Sequence, residues 1–158
     1  MTENEMVEWD HRLTYGHLDI IERAANLVDK LLIVIMMNDE KQGTFTFEER
    51  RDMVVQATRH LKNVEVIIGD GLTAEFAERK GAGIIIRGIR AVSDYEYEMQ
   101  LATANMTIAP GVETIFILAK PQYSFLSSST AKTIAKNHGD LKAFVDDYVA
   151  SKLEEKYK

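Results

Sequence analysis

Four short apolar runs recur along the chain, and stretches with helical spacing separate them. The runs cover residues 31–37, 64–68, 83–86 and 114–118 and are rich in Ile, Val and Leu. Runs of this length with few polar breaks are typical of strands buried on both faces, as in a parallel sheet. Strands and helices that alternate at this spacing predict an α/β domain with a mostly parallel sheet, whose functional loops lie at the carboxyl ends of the strands.

The first helical stretch precedes the earliest of these runs. Its apolar residues Leu18, Ile21, Ala25 and Val28 recur at helical spacing, which predicts one face packed on the core. The polar residues between them are available for the opposite face: Asp19, Glu22, Arg23 and Asn26.

The second helix has a clear start signal. Thr46 and Glu49 are spaced as a capping box, so Thr46 caps the helix and Glu49 bonds back to it. The pattern predicts that this helix continues to about residue 60. Further helices are predicted over residues 72–80, stopped by Gly81, and over residues 93–108, 127–137 and 141–157.

Composition narrows the class of protein. The 158 residues are 46% hydrophobic, which suits one domain with a sizeable core. A formal net charge of −6 weighs against a broad nucleic-acid surface. The absence of cysteine excludes a disulfide scaffold, thiolate metal sites and cysteine nucleophiles. The acidic first residues do not resemble a signal peptide, and residues 31–37 are too short to span a membrane, so we expect a cytoplasmic protein without membrane partners.

The start of the first helix, Thr14-Tyr15-Gly16-His17, is a candidate phosphate site. Glycine lets the backbone approach a ligand closely, and a helix N-terminus favours anions. His17 could then stabilise charge on a phosphoryl group. The competing interpretation is a helix cap followed by a surface histidine.

Cationic residues follow two of the predicted strands. Arg87 and Arg90 come directly after residues 83–86, and guanidinium groups suit phosphate oxygens. Lys41 lies in the loop before the capping box. The competing interpretations are a structural salt bridge for the arginines and a solvated loop lysine.

Two further segments carry polar groups. Asp94 and Glu98 share one helical face, which is either functional, a charged surface or a subunit contact. Ser127, Ser128 and Ser129 lie at a predicted helix start, where one can cap the helix and the others can bind phosphate. No metal-ligand spacing relates the remaining histidines, which are interpreted as surface residues: His11, His60 and His138.

In this order, these segments resemble phosphopantetheine adenylyltransferase, a family of nucleotidyltransferases with an (H/T)xGH motif. The resemblance implies a Rossmann-like domain with a mostly parallel five-stranded sheet flanked by helices, in a single nucleotidyltransferase domain over residues 1–158. The pair RGIRAVSDYEYE and YSFLSSS is the most specific feature, because other xGH proteins lack both. The stretches that carry it are TYGHLDIIERA, KQGTFTFEER, NVEV, IIIRGIRAVSDYEYEMQL, APGVETIF and YSFLSSS.

The resemblance implies roles for individual residues. His17 matches the histidine that stabilises the transition state, and Arg90 matches an arginine that holds the ATP phosphates. Lys41 matches a lysine that binds phosphate of both substrates, and Arg87 matches a substrate-binding arginine. The remaining matches are ATP-binding Gly16, Glu98, Ser127, Ser128 and Ser129, and the substrate-binding pair Leu72 and Thr73.

The implied reaction is in-line attack of 4′-phosphopantetheine on the α-phosphorus of ATP, with Mg²⁺ on the phosphates and no covalent enzyme intermediate. The products are dephospho-coenzyme A and pyrophosphate. The implied partners are ATP, 4′-phosphopantetheine and coenzyme A, and the implied assembly is a homohexamer.

Residues 1–13 depart from the family. Members carry an apolar strand and a motif like G-(S/T)-F-D-P before xGH, and none of its five positions matches here. Ala104 also stands where members often have Met beside the pantetheine arm. Because burying glutamates is costly, the first strand is predicted to form poorly or out of register. The five positions hold Glu8, Trp9, Asp10, His11 and Arg12.

Two explanations of this segment stay open. In the first, it is natural and the protein is a weakened homologue that binds ATP or coenzyme A. In the second, the coding sequence carries a local frame error, since codons 8–12 read one nucleotide later permit Ser-Gly-Thr-Ile-Asp. A related nucleotidyltransferase with another phosphate acceptor is a further alternative.

Overall fold

The computed structural model describes residues 4–9, 14–37, 45–124 and 128–158, with the side chains of residues 4–9, 93, 128 and 129 outside that description. Five parallel strands form one sheet in the order β3-β2-β1-β4-β5. The strands are β1 (Asn4–Trp9), β2 (Leu31–Met36), β3 (Val64–Gly69), β4 (Ala82–Ile89) and β5 (Glu113–Leu118).

Helices connect the strands, as alternating strands and helices predict. They are α1 (Tyr15–Ala25), α2 (Phe47–Thr58), α3 (Thr73–Arg79), α4 (Val92–Ile108), α5 (Ser128–Lys136) and α6 (Asp147–Lys156), with a short 3₁₀ turn at Pro121–Tyr123 after β5. The predicted α/β architecture is confirmed. Across the described residues, no helix is long and apolar enough to cross a membrane.

Strand β2 shows why the central runs are continuously apolar. Every residue of Leu31–Met36 is buried. Leu31, Ile33 and Ile35 belong to a core that includes α1, α2 and α6 residues, whereas the alternate residues pack into a second core with α3 residues. Successive side chains of a strand point to opposite faces, so a strand covered on both faces needs apolar residues at every position.

The first strand was predicted to form poorly or out of register, and this prediction is wrong for the pairing of β1 with β2. β1 lies in the centre of the sheet and pairs in regular parallel register with β2, from Glu5 opposite Leu31 to Trp9 opposite Ile35. An irregularity occurs only against β4, between Asn4 and Met6. Pairing satisfies backbone N–H and C=O groups of both neighbouring strands, and this requirement does not depend on the acidity of the β1 sequence.

The predicted helix over residues 141–157 is shorter than expected. α6 begins at Asp147, and the Asp146 side chain caps it by accepting from the Val149 N–H at 2.8 Å. An aspartate that bonds the backbone in a non-helical conformation is a start signal, so the turns before it are separate from the helix.

Two helix signals from the sequence are confirmed. The Thr46 hydroxyl accepts from the Glu49 N–H at 3.1 Å, and the Glu49 carboxylate accepts from the Thr46 N–H at 2.8 Å. After α3, Gly81 has φ +70°, a backbone conformation that glycine adopts without steric cost.

Candidate active site at the carboxyl edge of the sheet

The strand order places the topological switch point of the sheet between β1 and β4. The chain builds β2 and β3 on one side of β1, then crosses over to add β4 and β5 on the other. In open α/β sheets, ligands bind outside the carboxyl ends of the strands at this switch point. Helix α1 follows β1 there, and β4 ends there with Arg87, Gly88 and Ile89.

The start of α1 is a capping box made by Thr14 and His17. His17 Nδ1 lies 3.2 Å from the Thr14 backbone nitrogen and 3.0 Å from Thr14 Oγ1. A backbone N–H only donates, so Nδ1 accepts, and in the neutral ring the proton lies on Nε2. The two interpretations of this segment are thus compatible, because the cap itself orients the ring so that Nε2 is the donor.

Two glycines allow close packing around this helix start. A β-carbon on Gly16 would lie 3.3 Å from Tyr123 Cβ, and one on Gly88 would lie 3.2 Å from Ile20 Cγ1. The absence of a side chain at these positions therefore brings α1 against β4 and against the 3₁₀ turn at Pro121–Tyr123.

Arg87 and Glu98 form a two-point ion pair between β4 and α4. Arg87 Nε and Nη2 donate to the two oxygens of Glu98 at 2.7 and 2.8 Å. The pair is largely buried, with side-chain exposures of 15% and 12%. Arg90 lies 3.3 Å from Asp94 in a more exposed pair. Both arginines therefore form the salt bridges that the competing interpretation predicted. These ion pairs hold both guanidinium groups at the carboxyl end of β4.

The structure places other sequence-predicted residues along the same edge. Leu72 is the residue before α3, and Thr73 is its first residue, shortly after β3 ends. The backbones of Ser128 and Ser129 begin α5, but their side chains are outside the description. Lys41 and Ser127 lie outside the described residues. Parallel strands end at one edge, so the start of α3, after β3, and the end of β4 share it even though their chain positions differ.

The histidines predicted to be surface residues divide into three cases. His60 is exposed and lies 2.8 Å from Glu22 on α1. His138 follows α5 with φ 56°, a conformation that ends a helix. His11 lies outside the described residues. Among the described residues, no group of three or more His, Asp or Glu side chains could hold a metal ion.

One residue of this edge was assigned to the wrong face from the sequence. Asp19, predicted for the polar face of α1, is buried and contacts two cations. Its spacing from Arg23, i to i+4, was the available signal, but that spacing alone is equally typical of an exposed pair.

Burial raises the pKa of the Tyr15 phenol, and the negative charges of Asp147 and Asp146 and the neighbouring Tyr123 raise it further. The Tyr15 N–H also donates to the Phe144 carbonyl at 2.8 Å. The residue before Gly16 is therefore attached to the segment that leads into α6, which restricts the position of the helix start.

Comparison with known proteins gives a family. Residues 12–134 match the sequence model of the cytidylyltransferase-like family, so the match starts after β1. Phosphopantetheine adenylyltransferase of Caldanaerobacter subterraneus is 47% identical over 146 residues, which is 92% of this chain and 91% of that protein. Phosphopantetheine adenylyltransferase of Carboxydothermus hydrogenoformans is 47% identical over 145 residues, 92% and 90% of the two chains.

Solved structures agree on the fold. Plasmodium falciparum nicotinic acid mononucleotide adenylyltransferase, complexed with NaAD, matches with a TM-score of 0.67 at 14% identity, over 97% of this chain and 95% of that one. A lipopolysaccharide core biosynthesis protein from Thermoplasma volcanium matches with a TM-score of 0.54 at 20% identity, over 76% and 98%. These likenesses support the Rossmann-like architecture. By its identity to the curated relatives, the chain is a nucleotidyltransferase that belongs to the phosphopantetheine adenylyltransferase family.

Proposed function

We propose that this chain transfers the adenylyl group of ATP to 4′-phosphopantetheine, forming dephospho-coenzyme A and pyrophosphate in coenzyme A biosynthesis. The observation that carries the proposal is that α1, which begins with the Thr14–His17 cap, packs through Ile20 on Gly88 of β4, the residue after Arg87. The two substrates follow from the family relationship, and the switch point between β1 and β4 is where ligands bind in sheets of this type.

The reaction is a single in-line displacement. A phosphate oxygen of 4′-phosphopantetheine forms a bond to the α-phosphorus of ATP, while the bond from that phosphorus to the oxygen bridging to the β-phosphate breaks. Pyrophosphate leaves with the electron pair, and no bond to the enzyme forms. Catalysis then depends on positioning and on stabilising negative charge.

His17 acts on the α-phosphate in this proposal. Thr14 holds Nδ1, so Nε2 presents its proton to an oxygen of the α-phosphate as charge develops there. The N-terminus of α1 adds free N–H groups and partial positive charge at the same place.

The two arginines have separate tasks. Arg87 binds the phosphate of 4′-phosphopantetheine, and Arg90 binds the phosphates of ATP. Glu98, which the family places near the nucleotide, uses both of its oxygens to hold Arg87 in this structure. Its contribution is therefore the orientation of the Arg87 guanidinium at the end of β4.

The remaining site residues complete the two binding regions. Lys41 is proposed to contact the phosphates of both substrates. Leu72 and Thr73 are proposed to lie beside the pantetheine arm, and the exposure of Leu72 fits a residue that contacts a ligand. Three serines are proposed to bind the triphosphate of ATP: Ser127, Ser128 and Ser129.

Mg²⁺ is proposed as an ion carried on the ATP phosphates. The described residues offer no cluster of acidic or histidine side chains that would hold it alone. Mg²⁺ commonly binds through substrate phosphates and water with only one or two carboxylates. When bound, the ion offsets part of the charge of the triphosphate.

A homohexamer and a cytoplasmic location are proposed with the function. The exposed apolar side chains of α4, including Val92, Tyr97 and Met106, give copies of the chain a surface to cover. Light scattering after size-exclusion chromatography should give about six times the 17.9 kDa of one chain. A single-chain mass at micromolar concentration would contradict the hexamer.

Pyrophosphate release from ATP and 4′-phosphopantetheine with Mg²⁺ tests the function, with the His17→Ala variant as the control. Release that falls at least about 100-fold in the variant is the expected result. Nucleotide or polyol phosphates in place of 4′-phosphopantetheine test a different acceptor. Binding of ATP or coenzyme A without any release would contradict the activity and indicate a binding protein.

A further inference from the structure

Asp19 is a buried carboxylate that contacts cations from two different parts of the chain. It is 9% exposed. Its Oδ2 accepts from Arg23 Nη1 at 3.1 Å, and its Oδ1 lies 3.2 Å from Lys120 Nζ. Burying a carboxylate is costly unless cations and hydrogen bonds compensate it, so these contacts account for its position inside the fold.

These contacts anchor the segment that leaves β5. The same Arg23 Nη1 also donates to the Leu118 carbonyl, the last residue of β5, at 2.8 Å. On the other side, the Ala119 N–H donates to the Ile89 carbonyl at 2.8 Å, which extends the pairing of β5 with β4. The chain is therefore attached to α1 and to β4 just before and at Lys120.

The anchored segment leads directly into the candidate active site. After Lys120, the 3₁₀ turn at Pro121–Tyr123 packs on Gly16, where an added β-carbon would lie 3.3 Å from Tyr123 Cβ and 3.5 Å from the Tyr123 carbonyl oxygen. Gly16 precedes His17, and the backbone of α5 begins at Ser128. The segment that packs on the start of α1 therefore ends at Ser124, four residues before α5 begins.

We propose that Asp19 is a positioning residue for ATP. By holding Arg23 and Lys120, it fixes residues 118–124 against α1, so that the starts of α1 and α5 meet the nucleotide phosphates in one arrangement. Asp19 acts through this connection and does not touch the substrate. The inference rests on the proposed adenylyl transfer, because it names the ATP side of that site.

A purely structural role makes a different prediction from a positioning role. If Asp19 only stabilised the fold, its loss would lower the melting temperature and leave the KM values of the folded enzyme unchanged. If Asp19 positions the connection, the KM for ATP rises while the KM for 4′-phosphopantetheine stays within about twofold, since Glu98 on α4 holds the Arg87 guanidinium. A misplacement of about 1 Å can cost about 100-fold, so we expect about a tenfold effect from a smaller shift.

The kinetic test compares Asp19→Asn with Glu22→Gln in the full chain, assayed by pyrophosphate release. Glu22 lies on the same helix and pairs with His60 at 2.8 Å on the exposed side, so its variant is the matched control. We expect a KM for ATP about ten times higher in Asp19→Asn and unchanged in Glu22→Gln. Equal KM values for ATP in the original chain and a folded Asp19→Asn variant would overturn the proposal.

A second variant covers the case in which Asp19→Asn does not fold. Lys120→Gln leaves the Arg23 contacts in place and removes a half-exposed amine, so it should fold and raise the KM for ATP about threefold. In the double variant with Asp19→Asn, the two effects should be less than multiplicative, because they act through one contact. Fully multiplicative effects would show that the two residues act separately.

Hydrogen exchange provides a readout that does not require turnover. Amides of residues 119, 120 and 122–124 should exchange faster in Asp19→Asn than in Glu22→Gln, while amides of β2 stay protected. Unchanged exchange in this segment would contradict the positioning role even if the enzyme is inactive. Conversely, faster exchange with no pyrophosphate release from any variant would support the role of Asp19 in positioning the segment but contradict the proposed function.

Discussion

Glu98 holds Arg87 with both of its carboxylate oxygens, which connects α4 to the carboxyl end of β4. Side-chain exposures of 15% and 12% set this pair apart from exposed ion pairs such as Lys30 and Glu65, whose side chains are 46% and 52% exposed. Removing one partner of a largely buried pair leaves the other charge poorly solvated. The Arg87–Glu98 pair should therefore contribute to stability as well as to the site.

The Glu98→Gln variant should lower the free energy of unfolding by about 2 kcal/mol, because a neutral amide compensates the Arg87 charge only in part. Urea unfolding followed by circular dichroism measures this, at one protomer concentration throughout. The control is Glu65→Gln, whose exposed pair should contribute at most about 0.5 kcal/mol. Equal losses in the two variants would mean that the burial of the Arg87 pair carries no extra energy.

Restoring the phosphate loop should raise activity. Replacing residues 8–12 with Gly-Ser-Phe-Asp-Pro supplies a hydroxyl and backbone donors, and one such donor commonly contributes about 2.7–4 kcal/mol to transition-state stabilisation. We expect kcat/KM for pyrophosphate release to rise at least about 100-fold. The same replacement in a His17→Ala background is the control and should remain poorly active.

The nucleotide sequence of codons 8–12 separates the two origins of this segment. A local frame error predicts that the frame one nucleotide later encodes a peptide close to Gly-(Ser/Thr)-Phe-Asp. A frame that encodes no such peptide would reject the local frame error.

Gly69 should resist substitution because three side chains surround it. A β-carbon there would lie 2.7 Å from Val34 Cγ1 and 2.9 Å from both Met36 Sδ and Phe76 Cζ. Overpacking of this kind should make Gly69→Ala less stable by about 1–3 kcal/mol in urea unfolding. Gly111→Ala is the matched control, since nothing lies within 4 Å of its β-carbon, and it should be neutral or slightly stabilising. A neutral Gly69→Ala would show that β2 and α3 adjust easily.

The raised pKa of Tyr15 should make the protein less stable in alkali. Below about pH 10 the phenol is neutral in both states, so its favourable burial is fully present. Above that pH the unfolded chain loses the proton more readily than the folded chain, so the free energy of unfolding falls as pH rises. Urea unfolding at pH 8 and pH 11 should show a smaller fall for Tyr15→Phe than for Tyr97→Phe, whose side chain is 62% exposed. Equal falls would contradict the assignment to Tyr15.

The sequence by itself determined the features that depend on local chemistry. Apolar runs such as residues 64–68 became strands, and Thr46 and Gly81 marked the start of one helix and the end of another because capping and positive φ involve only neighbouring residues. The segments around His17 and Arg87 also indicated the family, since they carry chemistry in a specific order.

Tertiary structure alone decided the features that depend on distant partners. The acidic β1 lies in the centre of the sheet because β2 and β4 both need its backbone groups. Asp19 can be buried because Lys120, which follows the edge strand β5, contacts it together with Arg23. No spacing along the chain records such a contact, whose energy exists only once the strands and helices are packed.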